Sequence, residues 1–364
     1  MPGPYSEAAR DTVNKDVLYA NSTLALHAET GEIAWYFQHL PRPNWDFDHI
    51  SERLLVDSKV QPDKSSTWVQ NPNIETGKVH KLMTGIPGKN GVVWTLDRAT
   101  GEFLWAKQTV KQNVIESIDP STGKVTVNEA VIPDTVDDPY GFVCPSSYGG
   151  KNWMPGAYSP KTGAMYMPLL NTCMRPDFRK GLDFKPVITP GEKFLGRLEA
   201  ISVQTGETLW KYQQRATIFG ALASAGNLVF AGDSDRRFRA FNAETGNVLW
   251  ETILTGGVSG QPVSFSVDGT QYIAVTAGGS SYLSSAMNSI TGISASQTTN
   301  QLYVFALPNR VVSRDKAAFS NQHPYAEPAK GLAPEFTQMQ MDQGKGAYIG
   351  YCSSCHGVDM KGGM

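Results

Sequence analysis

The sequence predicts an all-β fold of repeated hairpins, and three observations carry that reading. A short apolar run, a turn ending in Thr-Gly and a run ending in Trp recur at Leu24–Trp35, Trp94–Trp105, Leu198–Trp210 and Phe238–Trp250, with a degenerate copy at Tyr158–Tyr166. The composition is rich in glycine and tryptophan, 35 and 8 of 364 residues, as all-β chains are. Helical periodicity is scarce before residue 330.

Each copy has the pattern of a β-hairpin. Alternating apolar residues make the two strands, and Thr-Gly supplies the positive-φ residue of the turn. The closing Trp is placed to pack between adjacent sheets. Gly163, Gly206 and Gly246 fall about 40 residues apart, the period of a propeller blade. The wider gaps between the earlier copies predict inserted loops. Asn227–Gly232 and Gln271–Gly278 read as inner strands reaching a central axis, with terminal glycines that let backbone approach closely.

The chain carries a formal net charge of -2, which argues against a nucleic-acid partner. It contains no apolar run long enough to cross a membrane, and Met1–Thr30 lacks the basic start and apolar core of a secretory signal. Residues 307–336 read as a linker, with Pro308, Pro324, Pro328 and Pro334 set among polar residues without a period. A short helix is expected over Met341–Tyr351.

Two stretches carry chemistry. In Pro43–His49, Asp46 and Asp48 stand two residues apart around Phe47. An extended segment would point both carboxylates to one side. Paired carboxylates raise a pKa or share a cation, so the stretch is a proton-abstraction site, a metal site or a polar turn. The second stretch is Cys352-Ser353-Ser354-Cys355-His356, the attachment motif of c-type haem. Two thiols bond the porphyrin vinyls and His356 lies under the iron. A redox pair would want a thioredoxin-like strand–helix context, and zinc a second ligand pair. Neither accompanies the motif, whereas a helix ending in an aromatic precedes it and Gly357 follows. The remaining cysteines, Cys144 and Cys173, are either a disulfide or two buried thiols.

Taken together, the Trp repeats, Asn44–Asp48 and the haem motif resemble the quinoprotein alcohol dehydrogenases. The closest likeness is to the quinohaemoprotein branch, which fuses a pyrroloquinoline quinone (PQQ) propeller to a C-terminal cytochrome c. The resemblance implies that residues 1–306 are the later blades of an eight-bladed propeller, and 337–364 the start of an α-helical cytochrome c domain. The chain is then expected to be a fragment. Asp46 sits where the family has its catalytic base. Lys89, in Pro87–Gly91, matches the basic residue that hydrogen-bonds the quinone carbonyls, and Asn152-Trp153 match a quinone-contacting pair. Cys144 and Cys173 match an inter-blade disulfide in position and spacing. Asp48 matches the extra acid of lanthanide-using members, where calcium users tend to carry a small or hydroxyl residue. Asp46 and Asp48 are the metal residues that this implies, with His356 on the haem iron.

The implied activity is periplasmic oxidation of a small primary alcohol to an aldehyde, by PQQ with Ca²⁺ or a lanthanide. Electrons would pass to the covalent haem and on to a cytochrome, cupredoxin or quinone. Two other readings stand beside it: a non-catalytic propeller scaffold of the outer-membrane assembly kind, and a PQQ-dependent sugar or polyol dehydrogenase. Lys89-Asn90-Gly91 is also a plain hairpin turn with a solvated lysine, and Trp153 also a plain core residue.

Overall fold

A computed structural model of the chain describes residues 16–42, 45–132, 141–177, 183–279, 281–294, 300–306 and 337–351. The chain divides into two compact units, Met1–Pro308 and Asn309–Met364. The expected linker at 307–336 and the motif Cys352–His356 lie outside the described residues.

The first unit is a series of antiparallel sheets. Ser22–Leu26 pairs with Ile33–Gln38. A five-stranded sheet follows in the order Leu54–Lys59, Val79–Gly85, Val92–Asp97, Phe103–Gln108 and Val69–Gln70. Two four-stranded meanders come next, Ala157–Ser159 through Thr208–Gln214 and Ile218–Ala223 through Val248–Ile253. A three-stranded sheet of Val263–Val267, Thr270–Ala277 and Gln301–Ala306 completes the series. The insertion expected after the second copy contains a hairpin, Ile115–Ile118 with Val125–Val127, and a further hairpin that the spacing did not announce, Thr172–Asp177 with Asp183–Ile188, lies between Gly163 and Gly206.

The repeat is legible in atomic terms. The turn glycines Gly31, Gly101, Gly206 and Gly246 have φ of 74, 77, 73 and 73°. Each donates its N–H to the carbonyl four residues back, as Gly101 does to Asp97 at 2.8 Å, and the strand register shifts beside the turn. Trp35, Trp105 and Trp210 then each lie on the turn glycine of the next sheet. A Cβ on Gly101 would stand 2.7 Å from Trp35, and one on Gly246 2.6 Å from Trp210. The indole of Trp210 also donates to the Ala243 carbonyl at 2.9 Å. Backbone conformation and space both demand glycine here. Gly246→Ala is therefore expected to lower stability by about 1–3 kcal/mol, read from the urea midpoint. An unchanged midpoint would show that the stacked Trp yields freely.

The structure corrects three details of the sequence reading. Gly163, with φ of 61°, turns the first hairpin of its sheet while Gly206 turns the last, so their spacing does not relate equivalent positions. The same turn chemistry serves two strand pairs, and the true repeat runs through Trp35, Trp105, Trp210 and Trp250. Leu228–Asp233 and Thr270–Ala277 lie in the middle of their sheets, flanked on both sides, rather than as inner edges. A helix, α1, spans Tyr282–Thr291, where Leu283, Ala286, Met287 and Ile290 keep a helical spacing that the sequence reading passed over. Its start is fixed by a reciprocal cap between Ser281 and Ser284 and its end by Gly292 at φ 67°. Leu283 and Met287 dock it on Met154, Leu170, Leu195 and Phe219.

In the second unit, α2 covers Gln338–Tyr351, a little longer than expected. No described helix is long and apolar enough to cross a membrane.

Candidate active site

The paired acids sit in a turn, not in the extended segment that their spacing suggested. Trp45 and Asp46 both have positive φ, 61 and 63°, and the Asp48 N–H donates to the Asp46 carbonyl at 3.1 Å. Two consecutive non-glycine residues in the left-handed region are costly and persist only where the surroundings impose them. The surroundings here are aromatic. Trp45 and Phe47 are buried, 0% and 1% exposed, with ring centroids 5.9 Å apart. Anchoring the two aromatics inward turns the two acids out together, so the pairing survives although the extended geometry does not.

Both carboxylates converge on one ammonium. Lys89 Nζ stands 2.8 Å from Asp46 Oδ2 and 2.8 Å from Asp48 Oδ2, and donates to the Asp46 carbonyl at 2.8 Å. The acid side chains are 40% and 43% exposed and the lysine 10%. Pro87–Gly91 is indeed a turn, with Gly91 at φ 72°, but its lysine is not a solvated one. Backbone bonds fix it to the acid loop: Lys89 N–H to the Asp48 carbonyl at 3.0 Å, and Ser51 N–H to the Pro87 carbonyl at 2.9 Å. His49 packs flat over Gly88, where a Cβ would fall 2.4 Å from the ring.

A third loop, Gly149–Gly156, completes the group. Gly150 donates its N–H to the Lys89 carbonyl at 2.7 Å. Asn152 spends its side-chain amide within its own loop, donating to the Tyr148 carbonyl at 2.8 Å and accepting from the Trp153 N–H at 2.8 Å. Trp153 is 41% exposed and tilted against Phe219 at 5.7 Å, so it is not a plain core residue. The loop is approached through a disulfide. Cys144 and Cys173 are bonded, and both are buried.

Beneath the acid loop, His39 and His49 stack at 5.7 Å. Burial holds His39 well below the ordinary imidazole range, reinforced by His49 and Arg53. Burial likewise lowers His49 to about 4, against the Phe47 carbonyl, which raises it. Both rings are therefore neutral in the fold, while the unfolded chain takes up their protons near pH 6.5. The contribution of His49 to stability is complete above about pH 6.5 and is lost as pH falls through about 4, and His39 acts in the same direction. For His49 the loss is about 3 kcal/mol. Urea midpoints should fall steadily over that window, and His39→Phe with His49→Phe should flatten the slope between about pH 6.5 and 5. A slope that survives the double substitution would place the titration elsewhere.

Two carboxylates are the hard oxygen donors that Ca²⁺ or a lanthanide takes, and they already converge within 2.8 Å of one cationic atom. They fit such an ion as part of a ligand set, since it takes about six to eight oxygens. Among the described residues no group of three or more His, Cys, Asp or Glu is placed to hold a metal. Trp45 and Asn90 each hold a buried side-chain N–H without an acceptor among the described residues, donor chemistry of the kind a quinone with carboxylates would satisfy.

Comparison with known proteins decides the family. The model of the PQQ-dependent glucose/ethanol/alcohol dehydrogenase β-propeller domain matches residues 4–112 and 192–273, more than half of the chain. The chain belongs to the PQQ-dependent glucose/ethanol/alcohol dehydrogenase family. Quinohemoprotein alcohol dehydrogenase ADH-IIG of Pseudomonas putida is 29% identical over 96% of this chain and 49% of its own length. The 1-butanol dehydrogenase (cytochrome c) of Thauera butanivorans is 28% identical over 100% of this chain and 52% of its own. Among solved structures, a europium-containing methanol dehydrogenase superposes with a TM-score of 0.68 at 25% identity, over 82% of this chain and 55% of that one. Quinohemoprotein alcohol dehydrogenase from Comamonas testosteroni gives 0.65 at 27% identity, over 94% and 49%. The chain thus spans about half the length of these relatives.

In this PQQ-dehydrogenase chain the structure brings Asp46, Asp48 and Lys89 into direct contact and joins the loop of Asn152 and Trp153 to them through backbone. Cys352, Cys355 and His356 lie outside the described residues. Sequence reasoning passed over Glu52, His49 and Lys151, all of which touch these loops. Their signal was faint: a histidine and a glutamate just past the acid pair, and a lysine directly before Asn152-Trp153.

Proposed function

We propose that the chain contributes the propeller active site of a periplasmic alcohol dehydrogenase that oxidises a small primary alcohol to an aldehyde. The observation that carries this is the convergence of Asp46 and Asp48 on Lys89, 2.8 Å from each carboxylate, in a chain of this family. Bound PQQ, polarised by its metal, supplies the acceptor for the hydride of the alcohol carbon. Asp46 takes the hydroxyl proton, for which a partly exposed carboxylate beside the substrate is the right acceptor. Lys89 would set its ammonium against an oxygen of the bound quinone and stabilise negative charge there, in place of part of its present carboxylate contacts. Asp46 and Asp48 are the ligands this chain would give to the cation, and Trp153 presents an exposed aromatic face to a flat ring.

The second acid distinguishes the ions. A trivalent cation gains more from an added carboxylate than Ca²⁺ does. Asp48→Ala is expected to lower activity with La³⁺ more than with Ca²⁺, by about tenfold or more between the two. Equal losses would remove the lanthanide role, a role consistent with the europium-containing neighbour.

For Cys352, Cys355 and His356 we propose covalent haem c, receiving electrons and passing them to a downstream cytochrome, cupredoxin or quinone. Haem staining of the denatured polypeptide tests it directly, and an unstained band would sink it. The family description also names glucose dehydrogenases, so a sugar or polyol is the second substrate class. Comparing ethanol with glucose as substrates separates the two.

A further inference from the structure

An ion pair that the proposed reaction does not use joins the acid loop to the Trp153 loop. Lys151 Nζ lies 3.0 Å from Glu52 Oε2, with the lysine side chain 0% and the glutamate 30% exposed. An ammonium taken fully out of water is costly unless it is paired and its other donors are used. Lys151 is paired, and it donates a second time, to the Asn152 carbonyl at 3.2 Å. The second oxygen of Glu52 accepts from the Gly156 N–H at 2.7 Å. One carboxylate therefore holds both ends of the 151–156 segment. Ser51 Oγ reaches the same Asn152 carbonyl at 3.3 Å. Burial lowers the Lys151 pKa and Glu52 opposes the fall.

The pair closes a ring of contacts. Ser51, next to Glu52, donates its N–H to the Pro87 carbonyl, and Gly150, next to Lys151, donates its N–H to the Lys89 carbonyl. Lys89 in turn binds both acids. Three loops that carry the site residues are thus tied in sequence, and Glu52–Lys151 is the charged tie. Buried ion pairs are weak contributors to stability and better suited to fixing one arrangement among several.

We propose that Glu52 and Lys151 are positioning residues, a buried clamp that sets the Asp46/Asp48 carboxylates relative to Trp153. The proposal rests on the cation role given to the two acids above. The test uses the full chain and Tb³⁺ as probe, its emission excited through the tryptophans, well below the unfolding temperature. Amide exchange is followed in parallel at Ser51 and Lys89, against Ala231 and Phe241 in a distant sheet. Glu52→Gln and Lys151→Met are each expected to weaken Tb³⁺ binding about 10–100-fold, the scale for residues that orient metal ligands. Each should also speed exchange at Ser51 and Lys89 relative to the distant sheet. The double variant removes both charges, so it should regain the parent unfolding temperature without regaining Tb³⁺ affinity. A purely structural pair would instead regain both, and that result overturns the clamp. So would single variants that bind Tb³⁺ like the parent. Should the parent show no Tb³⁺ binding that Asp48→Ala removes, the cation role falls. The clamp is then decided by exchange alone, with unchanged rates overturning it.

Discussion

Asp46→Asn in the full chain, saturated with PQQ and metal, is expected to lower kcat by about 10²–10⁴-fold, the range for loss of a general base. The substitution is nearly isosteric. It leaves the Asp46 carbonyl and the Asp48 carboxylate as partners for Lys89, so the ammonium stays anchored. The buried Trp45 and Phe47 that shape the turn are untouched. What disappears is the carboxylate proposed to accept the alcohol proton and carry it as a neutral acid. Asp46 is also a proposed metal ligand, and two measurements separate the roles. Loss of a ligand raises the metal concentration needed for activity and is reversed by more metal. Loss of the base persists at saturation and moves kcat more than KM. Asp48→Asn should show the first behaviour and Asp46→Asn the second. A kcat within about tenfold of the parent at saturating metal would remove Asp46 from proton transfer.

Whether Asp46 stands ready for that role is a question of backbone, and there sequence and structure part. The spacing of Asp46 and Asp48 shows that both acids face one way, but not how. An extended segment and a turn with two positive φ values give the same alternation of buried aromatic and exposed acid. The structure shows the second, with Trp45 and Asp46 at φ 61 and 63° and the rings of Trp45 and Phe47 buried. The sheets were more legible, because each Thr-Gly turn obeys local rules. Glycine is required both by φ and by the Trp stacked upon it, so the motif is repeated whole. The same locality misled at Gly163, where an identical turn joins a different strand pair. Helix α1 was legible and was passed over: Leu283, Ala286, Met287 and Ile290 keep helical spacing beyond a Ser–Ser cap, a run short enough to be missed among strands.

Lys89 illustrates the limit of short-range reading. Lys-Asn-Gly forms the turn that its residues favour, and nothing local says that the lysine leaves solvent for two carboxylates about 40 residues earlier. Family resemblance placed Lys89 against a quinone, and its contact with the two carboxylates at 2.8 Å is read from the structure alone. Glu52 and Lys151 had no such carrier. They meet across 99 residues, and neither has a local pattern that marks it for burial.

The Cys144–Cys173 bond is expected to matter to the same loops more than to the sheets. It closes a separation of 29 residues, for which chain entropy gives about 3–4 kcal/mol of stabilisation. Its position directs where that effect falls. Cys144 leads into Ser146–Trp153 while Cys173 lies in the inserted hairpin, and Val143 pairs with Met174 beside the bond. Ser146 then donates its N–H to the Thr172 carbonyl at 3.1 Å, and Gly150 reaches Lys89 a few residues later. Cutting the bond frees the entry to the loop without touching the Trp-glycine stacks. Cys144→Ser with Cys173→Ser should therefore lower the urea midpoint by the amount above. It should speed amide exchange at Gly149 and Gly150 well before exchange in the 218–253 sheet responds. Reduction with a thiol reagent should reproduce both effects in the parent and leave the double variant unchanged. If the variant and the parent unfold together, or if exchange rises evenly across the sheets, the bond does not organise the loop and the approach to Trp153 is held by backbone contacts alone.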